Sequence, residues 1–459
     1  MSLSSSLSIA VQAMLSEQGA MAVVSNNIAN VNTPGYTREV ANLVETPPVD
    51  YGNQQYGTGV TVANIQSVRD NVLQLRLNQE TQNQGKLNTL SDGLNQIQTL
   101  FNEPAGSGLQ SLLSQFFGSF QQLSADPTNL GLRQSVISSA QSLAAGFNQS
   151  ASALVTQQQD ADQGVVQTVQ QINQITAQIA QLNGQISSTS GAGQNTNSFQ
   201  DQRGQLINQL SQLVDVQSIT ADGSSLTLTT GGGAELVVGN QSFDLTTQTN
   251  ATTGLQDVYS QGADITSTIQ SGNLAGDLQL RDQQIPSILS NLDTLANGIA
   301  TSVNTQSAAG FDLNGNAGGN IFTPHAAVAG SALNLSVAIT DPNKVAASGD
   351  GTPGNNANAT ALANLQNAPI VGGQNPIEAY SGLVFQIADS AATASSQLSG
   401  QNSLVQQLQD QVGAVSGVSL DEEGANLILY QNAYNAAAHV AGVIANLFQT
   451  AIDMLPTAT

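Results

Sequence analysis

The residues best suited to chemistry in this sequence are two histidines and one dense group of acidic residues. His325 follows Pro324 and has no acidic neighbour, while His439 lies far along the chain within a helical pattern. General acid–base catalysis requires titratable side chains within hydrogen-bond reach of the proton they transfer, and this spacing indicates no such pair. The sequence also lacks HExxH, Walker and GxSxG motifs. We therefore predict no catalytic residues, no cofactor and no enzymatic activity.

The acidic group consists of Asp421, Glu422 and Glu423. Paired carboxylates can serve acid–base chemistry, but Ser419 stands three residues before Glu422, which is the spacing of a capping box. Negative charge in the first turn of a helix is also stabilised by the helix dipole. Helix capping therefore explains these residues better than catalysis does.

Two glycine-containing loops were considered as ligand sites. Residues 312–316 (DLNGN) resemble a calcium loop, but the glycine comes too early in the loop and the closing position is Thr323 instead of a glutamate. An Asn-Gly turn is the better interpretation. The glycines at 231–233 lack the strand-to-helix setting of a phosphate loop and indicate a hairpin turn. Because cysteine is also absent, we predict no metal site.

Composition excludes several classes of partner for this 459-residue chain. The net charge is −23 with only eight basic residues, whereas nucleic-acid binding requires clustered lysine and arginine. No apolar run reaches the roughly 18 residues of a membrane span, so we expect no membrane insertion. The first basic residue is Arg38, and a cleavable signal peptide needs positive charge before its apolar segment. Any export should therefore use another route.

Both ends of the chain carry apolar residues at alternating steps of three and four, the spacing of a coiled-coil seam. A helix with one narrow apolar stripe cannot be buried by itself, so we predict that the two terminal helices pack on each other. The N-terminal stripe has a break at Glu17. The stripes comprise Leu3, Leu7, Ala10, Met14, Met21, Val24, Ile28 and Val31 at one end, and Leu427, Tyr430, Tyr434, Ala437, Ala441, Ile444, Phe448 and Leu455 at the other.

Between the ends, the pattern predicts a helical bundle with a small inserted β domain. Thr33-Pro34-Gly35-Tyr36 is typical of a type II turn that ends the first helix. Residues 37–63 favour short strands, and helical periodicity returns from Ile65. Asp126-Pro127 is typical of a helix N-cap followed by proline. A strand is predicted over 333–339.

These elements suggest a nested, mainly α architecture of three domains. A terminal coiled-coil domain comprises residues 1–36 and 419–459. A helical bundle comprises 37–215, 271–308 and 359–418. A small β domain comprises 216–270 and 309–358.

Several motifs then point to a family. The run 25–38 (SNNIANVNTPGYTR) resembles the signature of bacterial flagellar rod, hook and hook-associated proteins, the axial family. Segments 130–136, 201–203 and 415–423 resemble, more narrowly, the hook-associated proteins of the hook–filament junction. The resemblance is weak through the β region, which is short for that family. The motif residues it singles out are Asn27, Asn30, Pro34, Gly35 and Tyr36 in the turn, and Ser419, Asp421 and Glu422 in the cap.

The resemblance implies a structural subunit that joins the flagellar hook to the filament and polymerises through its two terminal stripes. It implies type III export without a cleavable signal peptide and an extracellular location at the junction. The implied partners are further copies of the chain, the hook protein, a second junction protein and a dedicated export chaperone on the C-terminal helix. Two alternatives remain open: another axial subunit of the hook or distal rod, and an axial scaffold with an enzymatic or adhesive β domain.

Overall fold

A computed structural model describes residues 2–51, 54–102, 108–220 and 226–454. Helices account for 64% of the described residues and strands for 12%, in small sheets, which confirms the predicted mainly α fold with a small β component. The chain forms two compact units. The first unit comprises Met1–Gln82, Ile172–Asp244 and Asn402–Thr459, and the second comprises Asn83–Gln171 and Leu245–Gln401. The three-domain division remains a proposal.

The element bounds within the described residues are as follows. The α-helices are α1 (Leu3–Ala29), α2 (Asn71–Phe101), α3 (Leu109–Ala125), α4 (Leu130–Gly191), α5 (Asn197–Leu213), α6 (Gly272–Gln279), α7 (Ile285–Ala308), α8 (Ala357–Asn364), α9 (Pro376–Ser416) and α10 (Leu420–Asp453). The strands are β1 (Glu39–Glu45), β2 (Val49–Tyr51), β3 (Gln54–Tyr56), β4 (Val60–Ser67), β5 (Val216–Thr220), β6 (Leu226–Thr230), β7 (Glu235–Val238), β8 (Gln241–Ser242), β9 (Leu245–Thr249), β10 (Gln256–Ser260) and β11 (Ala263–Asp264).

In the first unit, α1 packs along α10. The end of α1 meets the start of α10, since the Asn27 side chain donates a hydrogen bond to Glu423, so the two helices run antiparallel. The antiparallel ribbon of β1 and β4 covers a second side of α1. The Ser16 hydroxyl on α1 donates to the Val60 carbonyl of this ribbon at 2.9 Å. The N-terminal helix is thus held from two directions.

The rest of the first unit comprises a small sheet and a minor apolar cluster. The sheet has the strand order β5-β6-β7-β8, with antiparallel pairing throughout. The sheet region buries Leu228, Leu236 and Val237. The minor cluster joins Leu77 of α2 to Val405 and Leu408 of α9.

The second unit has the larger apolar core, built mainly on α3, α4, α7 and α9. Edge-to-face contacts join Phe116 to Phe117 and Phe120, with ring centroids 5.1 and 5.3 Å apart. A π-helical turn at Leu280–Gln284 joins α6 to α7. Within it, the buried Arg281 pairs with Asp162 and Asp282. The guanidinium therefore ties α4 to the α6–α7 connection.

Three sequence predictions of local structure were wrong. The helical period was expected from Ile65, but β4 continues to Ser67 because it pairs with β1 along its whole length. The cap of α4 was expected at Asp126, but Asn129 is the capping residue: its Oδ1 accepts from the Gly131 and Leu132 amides at 2.9 and 3.2 Å.

The third wrong prediction is the strand over 333–339. In the described structure this segment makes only a single bridge, between Phe322 and Val337. Side chains on α4 and α7 form hydrogen bonds with this region, where a β ladder would use backbone groups only. Asn148 on α4 donates to the Ala332, Leu333 and Leu335 carbonyls, and Asn304 on α7 accepts from two amides at 321–322.

By length and composition, one helix of the described residues, α1, could cross a membrane. Core helices of soluble proteins and signal sequences pass the same test. In this structure Ala10, Ala20, Val23 and Val24 of α1 are buried by the chain itself.

Candidate assembly site: the paired ends and their polar junction

Helices α1 and α10, which carry most residues of the predicted apolar stripes, pack on each other within the same chain; Val31 follows the end of α1. Val24 and Ile444 are buried, and Leu3 is 38% exposed near the start of α1. Leu455 lies outside the described residues. The remaining members are half-buried: Leu7, Met14, Met21, Ile28, Val31, Leu427, Tyr430, Tyr434, Ala437, Ala441 and Phe448. The pairing of the ends is therefore confirmed, while the role of these residues in a polymer remains a prediction.

A second apolar face on α10 was missed by the sequence reading. Val443 is 59% exposed and Leu429 is 62% exposed, although both are aliphatic. Their spacing gave a usable signal, because this face also advances by three, four or seven residues, as a second seam would. On α1, Val11 and Leu15 are likewise exposed. The face comprises Leu429, Ala436, Val440, Val443 and Leu447 on α10, together with Met454 directly after the helix.

Where the two terminal helices meet the β ribbon, Asn27 forms the centre of a buried polar junction. Its Nδ2 donates to the Glu39 carbonyl at 2.8 Å and to Glu423 Oε2 at 3.1 Å. Its Oδ1 accepts from the Tyr36 hydroxyl at 2.7 Å and the Glu39 amide at 3.0 Å. Asn27 is fully buried, so all four of its hydrogen bonds are made within the protein.

The predicted type II turn is confirmed. The Tyr36 amide donates to the Thr33 carbonyl at 3.1 Å, and Gly35 has φ +74°, a conformation that favours glycine. The Gln205 side chain of α5 donates to the Pro34 carbonyl. A Cβ on Gly35 would clash with the Gln205 side chain. Glycine is thus required here both for the backbone conformation and for the close approach of α5.

The electrostatics of the junction keep the Tyr36 hydroxyl neutral. Burial raises the pKa of Tyr36 well above its usual value, and the negative charges of Glu39, Asp201 and Glu423 raise it further. A neutral phenol is the form that can donate to Asn27. The junction therefore keeps this hydrogen bond at any pH near neutrality.

Asp201 on α5 ties the junction to the rest of the first unit. It accepts from the Thr37 hydroxyl at 2.6 Å and the Thr37 amide at 3.1 Å. It also pairs with Arg69 at 2.6 Å. Two residues on, Arg203 donates to Asn183 of α4 at 2.8 Å, and its pKa is lowered by burial and by the nearby Arg69. The segment 201–203, singled out in the sequence, thus fixes α5 between the signature turn and α4.

The C-terminal cap joins the same junction. The Ser419 hydroxyl accepts from the Glu422 amide at 3.4 Å, which confirms Ser419 as the N-cap of α10. The Glu422 carboxylate pairs with Arg38 at 2.6 Å, and Asp421 is exposed in the first turn. On the N-terminal side, Asn30 donates to Asn26 and accepts from Thr33, within the turn. The motifs identified from both ends of the sequence therefore meet in space.

The residues first considered for chemistry lie apart from this junction. His439 is exposed on α10. His325 belongs to the second unit, where it lines an open groove of about 460 Å³, and its Nδ1 lies 2.6 Å from the Ala327 carbonyl. In the part of the chain that the structure describes, no group of three or more histidine, aspartate or glutamate residues could hold a metal ion.

Comparisons with known proteins agree with the motifs. Residues 94–322 match the family model for the flagellar hook-associated protein FlgK helical domain, and residues 7–37 match that for flagella basal body rod proteins. Flagellar hook-associated protein 1 of Bacillus subtilis (strain 168) is 29% identical, over 97% of this chain and 97% of its own length. The protein of the same name from Escherichia coli (strain K12) is 28% identical, over 98% of this chain and 100% of its own.

The solved structure of the flagellar hook junction protein FlgK from Burkholderia pseudomallei is similar in fold. Its TM-score is 0.67 at 19% identity, and the match covers 74% of this chain and 100% of that one. The sequence matches extend over nearly the whole chain and agree with one another. The chain belongs to the flagellar hook-associated protein 1 (FlgK) family.

Proposed function

We propose that this chain is a structural subunit that joins the flagellar hook to the filament and that it assembles through its paired terminal helices. Family membership supports the place of the subunit in the flagellum. The observation that carries the mode of assembly is the second apolar face of α10, which the chain leaves uncovered. A contiguous exposed apolar face on a soluble protein marks an interaction surface.

The two apolar faces of α10 make different contacts. The stripe that contains Ile444 pairs with α1 inside one copy, while the face that contains Val443 is free to contact further copies. A contact that repeats from copy to copy without closing on itself produces a helical polymer. Val11 and Leu15 of α1 are also exposed, and we propose that they too contact further copies.

The proposed partners follow from this arrangement. They are further copies of the chain, the hook protein on one side and a second junction protein on the other. Before assembly, an export chaperone would cover the apolar face of α10. The subunit would leave the cell by type III export without a cleavable signal peptide and act outside it. We propose no enzymatic activity, no nucleic-acid partner and no membrane insertion, in line with the acidic composition.

A single negative charge placed on one side of α10 or the other tests the proposal. A strain that lacks the gene is complemented with Val443→Glu, or with Gln431→Glu as the matched control. Gln431 is exposed on the polar side of the same helix, so both variants add one carboxylate to α10. We expect Val443→Glu to leave hooks intact but shed filament monomer into the medium, as the deletion should, while Gln431→Glu restores motility.

Two measurements make the outcome decisive. Circular dichroism of the purified variants checks that helix content is unchanged, and labelling of isolated flagella locates each variant. Motile cells that carry Val443→Glu at the hook–filament junction would contradict the proposed interface. Label along the hook or rod would instead contradict the proposed position in the flagellum.

A further inference from the structure

Glu17 is the only charged residue in the segment 2–37. It lies on α1 three residues after Met14 and four before Met21, which is a position of the apolar seam that faces α10. A charged side chain at such a position weakens the pairing of the two helices, although it can fix their register.

The Glu17 carboxylate has no partner in the described part of the chain. The residue is half-buried, and its Oε2 atom is covered but accepts no hydrogen bond. The ion pairs of the first unit join Arg38 to Glu422 and Arg69 to Asp201. A covered carboxylate oxygen without a donor costs free energy that the helix pair must supply.

Among the described residues, no lysine or arginine forms an ion pair with Glu17. The antiparallel register set by Asn27 and Glu423 places Glu17 at the level of Ala433 on α10, with Tyr430 and Tyr434 within about one turn and the exposed His439 six residues further along the helix. The ribbon packed on α1 contributes Glu39 and Glu45, which are acidic. Burial raises the pKa of the Glu17 carboxyl group, as expected where no opposite charge opposes it.

We propose that Glu17 keeps the pairing of the two chain ends weak in the free chain, so that firm pairing is reserved for the assembled polymer. In the polymer, contacts of the exposed α10 face with further copies add free energy that offsets the cost of the covered carboxylate. This inference rests on the proposed function for its purpose. Its test does not, because the strength of pairing is measured in the free chain.

Protonation of Glu17 sets the direction in which helix pairing should change with pH. The folded-state pKa of Glu17 is raised above its unfolded value, so the paired state favours the protonated carboxyl. Pairing should be strongest at acidic pH and weaken as the pH rises through the raised pKa. Glu17→Gln keeps the shape of the side chain and removes this dependence.

Hydrogen exchange of the purified full-length monomer tests the inference, with rates corrected for the intrinsic effect of pH. At pH 8 we expect Glu17→Gln to slow exchange of the α1 and α10 amides by roughly threefold or more, because it removes the charge whose burial opposes pairing. Wild-type protection should increase as the pH is lowered from 8 through the raised pKa of Glu17, and that of Glu17→Gln should stay flat. Glu17→Leu, which completes the seam, should slow exchange further.

A charge-retaining control separates position from net charge. Gln18 is exposed on α1, so the double variant Glu17→Gln/Gln18→Glu keeps the charge but moves it out of the seam. It should exchange as slowly as Glu17→Gln. Equal wild-type and Glu17→Gln rates at pH 8, or a return to wild-type rates in the double variant, would overturn the inference. So would unprotected ends in Glu17→Leu. A failed Val443→Glu test would contradict the assembly interface and leave this measurement interpretable.

Discussion

Replacing Asn27 by aspartate should destabilise the first unit through loss of two donated hydrogen bonds. The side chain keeps its size but can no longer donate to the Glu39 carbonyl or to Glu423 Oε2. Each acceptor left unsatisfied in a buried site costs about 1–3 kcal/mol. The new carboxylate would also face Glu423 at about the same 3.1 Å separation, which adds like-charge repulsion. We expect a total loss of roughly 4 kcal/mol, a large share of the stability typical of a domain.

Urea denaturation of the full-length protein, followed by circular dichroism, measures the loss. The transition that reports the first unit should move to lower urea, while the transition of the second unit stays in place. The matched control is Asn32→Asp, since Asn32 is exposed in the signature turn. Repulsion should ease at acidic pH, because the introduced carboxylate and that of Glu423 can then share a proton.

A second substitution, which should compensate for Asn27→Asp, provides the decisive test of the polar junction. Glu423→Gln in the Asn27→Asp background restores a donor opposite an acceptor, so it should recover much of the lost free energy. If Asn27→Asp is as stable as Asn32→Asp, or if Glu423→Gln recovers nothing, the polar junction does not hold the ends together as argued.

Three further predictions concern the charged residues Arg133 and Asp277 and the signature turn at Gly35. Arg133 is fully buried and donates to the Pro127 and Val345 carbonyls at 2.7 and 2.6 Å. Arg133→Met removes both donors, so it should lower the unfolding free energy of the second unit by about 3 kcal/mol. Unchanged thermal unfolding of the variant would contradict this prediction. Burial raises the pKa of Asp277 to about 7, so the folded second unit favours the protonated carboxyl group. Its unfolding free energy should therefore fall by on the order of 3 kcal/mol as the pH rises from 4 through 7. Asp277→Asn should flatten that profile, and a persistent slope would assign it to other groups. Gly35→Ala should open the signature turn and raise exchange of its amides, and adding Gln205→Ala should reverse only the steric part of the effect.

Sequence periodicity was sufficient to predict the terminal pair because the stripe of α1 and the stripe of α10 each need one partner. The Pro34-Gly35 turn and the Ser419 cap were predictable for a related reason, since both depend on local backbone chemistry. The position of the α4 cap was not, because Asp126 and Asn129 are both good capping residues.

Contacts between distant residues could not be read from the sequence. The segment 333–339 has β-prone residues, but Asn148 on α4 donates to its Leu333 and Leu335 carbonyls, and Asn304 on α7 binds the neighbouring segment 321–322. The meeting of Asn27, Asp201 and Glu423 was equally invisible, although each lies in a motif that was singled out. The exposed apolar residues of α10 also have helical spacing. The stripe that contains Ile444 was by itself enough to predict the helix, so the second face was not identified.

The hydrogen bond between Asn27 and Glu423 joins residues separated by 396 positions. Contacts of such long range form late, because the intervening chain must be ordered or looped before they gain anything. During synthesis, α1 therefore has no partner helix until the ribosome has passed residue 423 and α10 has emerged. The second unit, which ends at Gln401, is complete before that moment. The terminal pair is thus the last part of the molecule to fold and, by the same topology, the part whose opening leaves the remaining core intact.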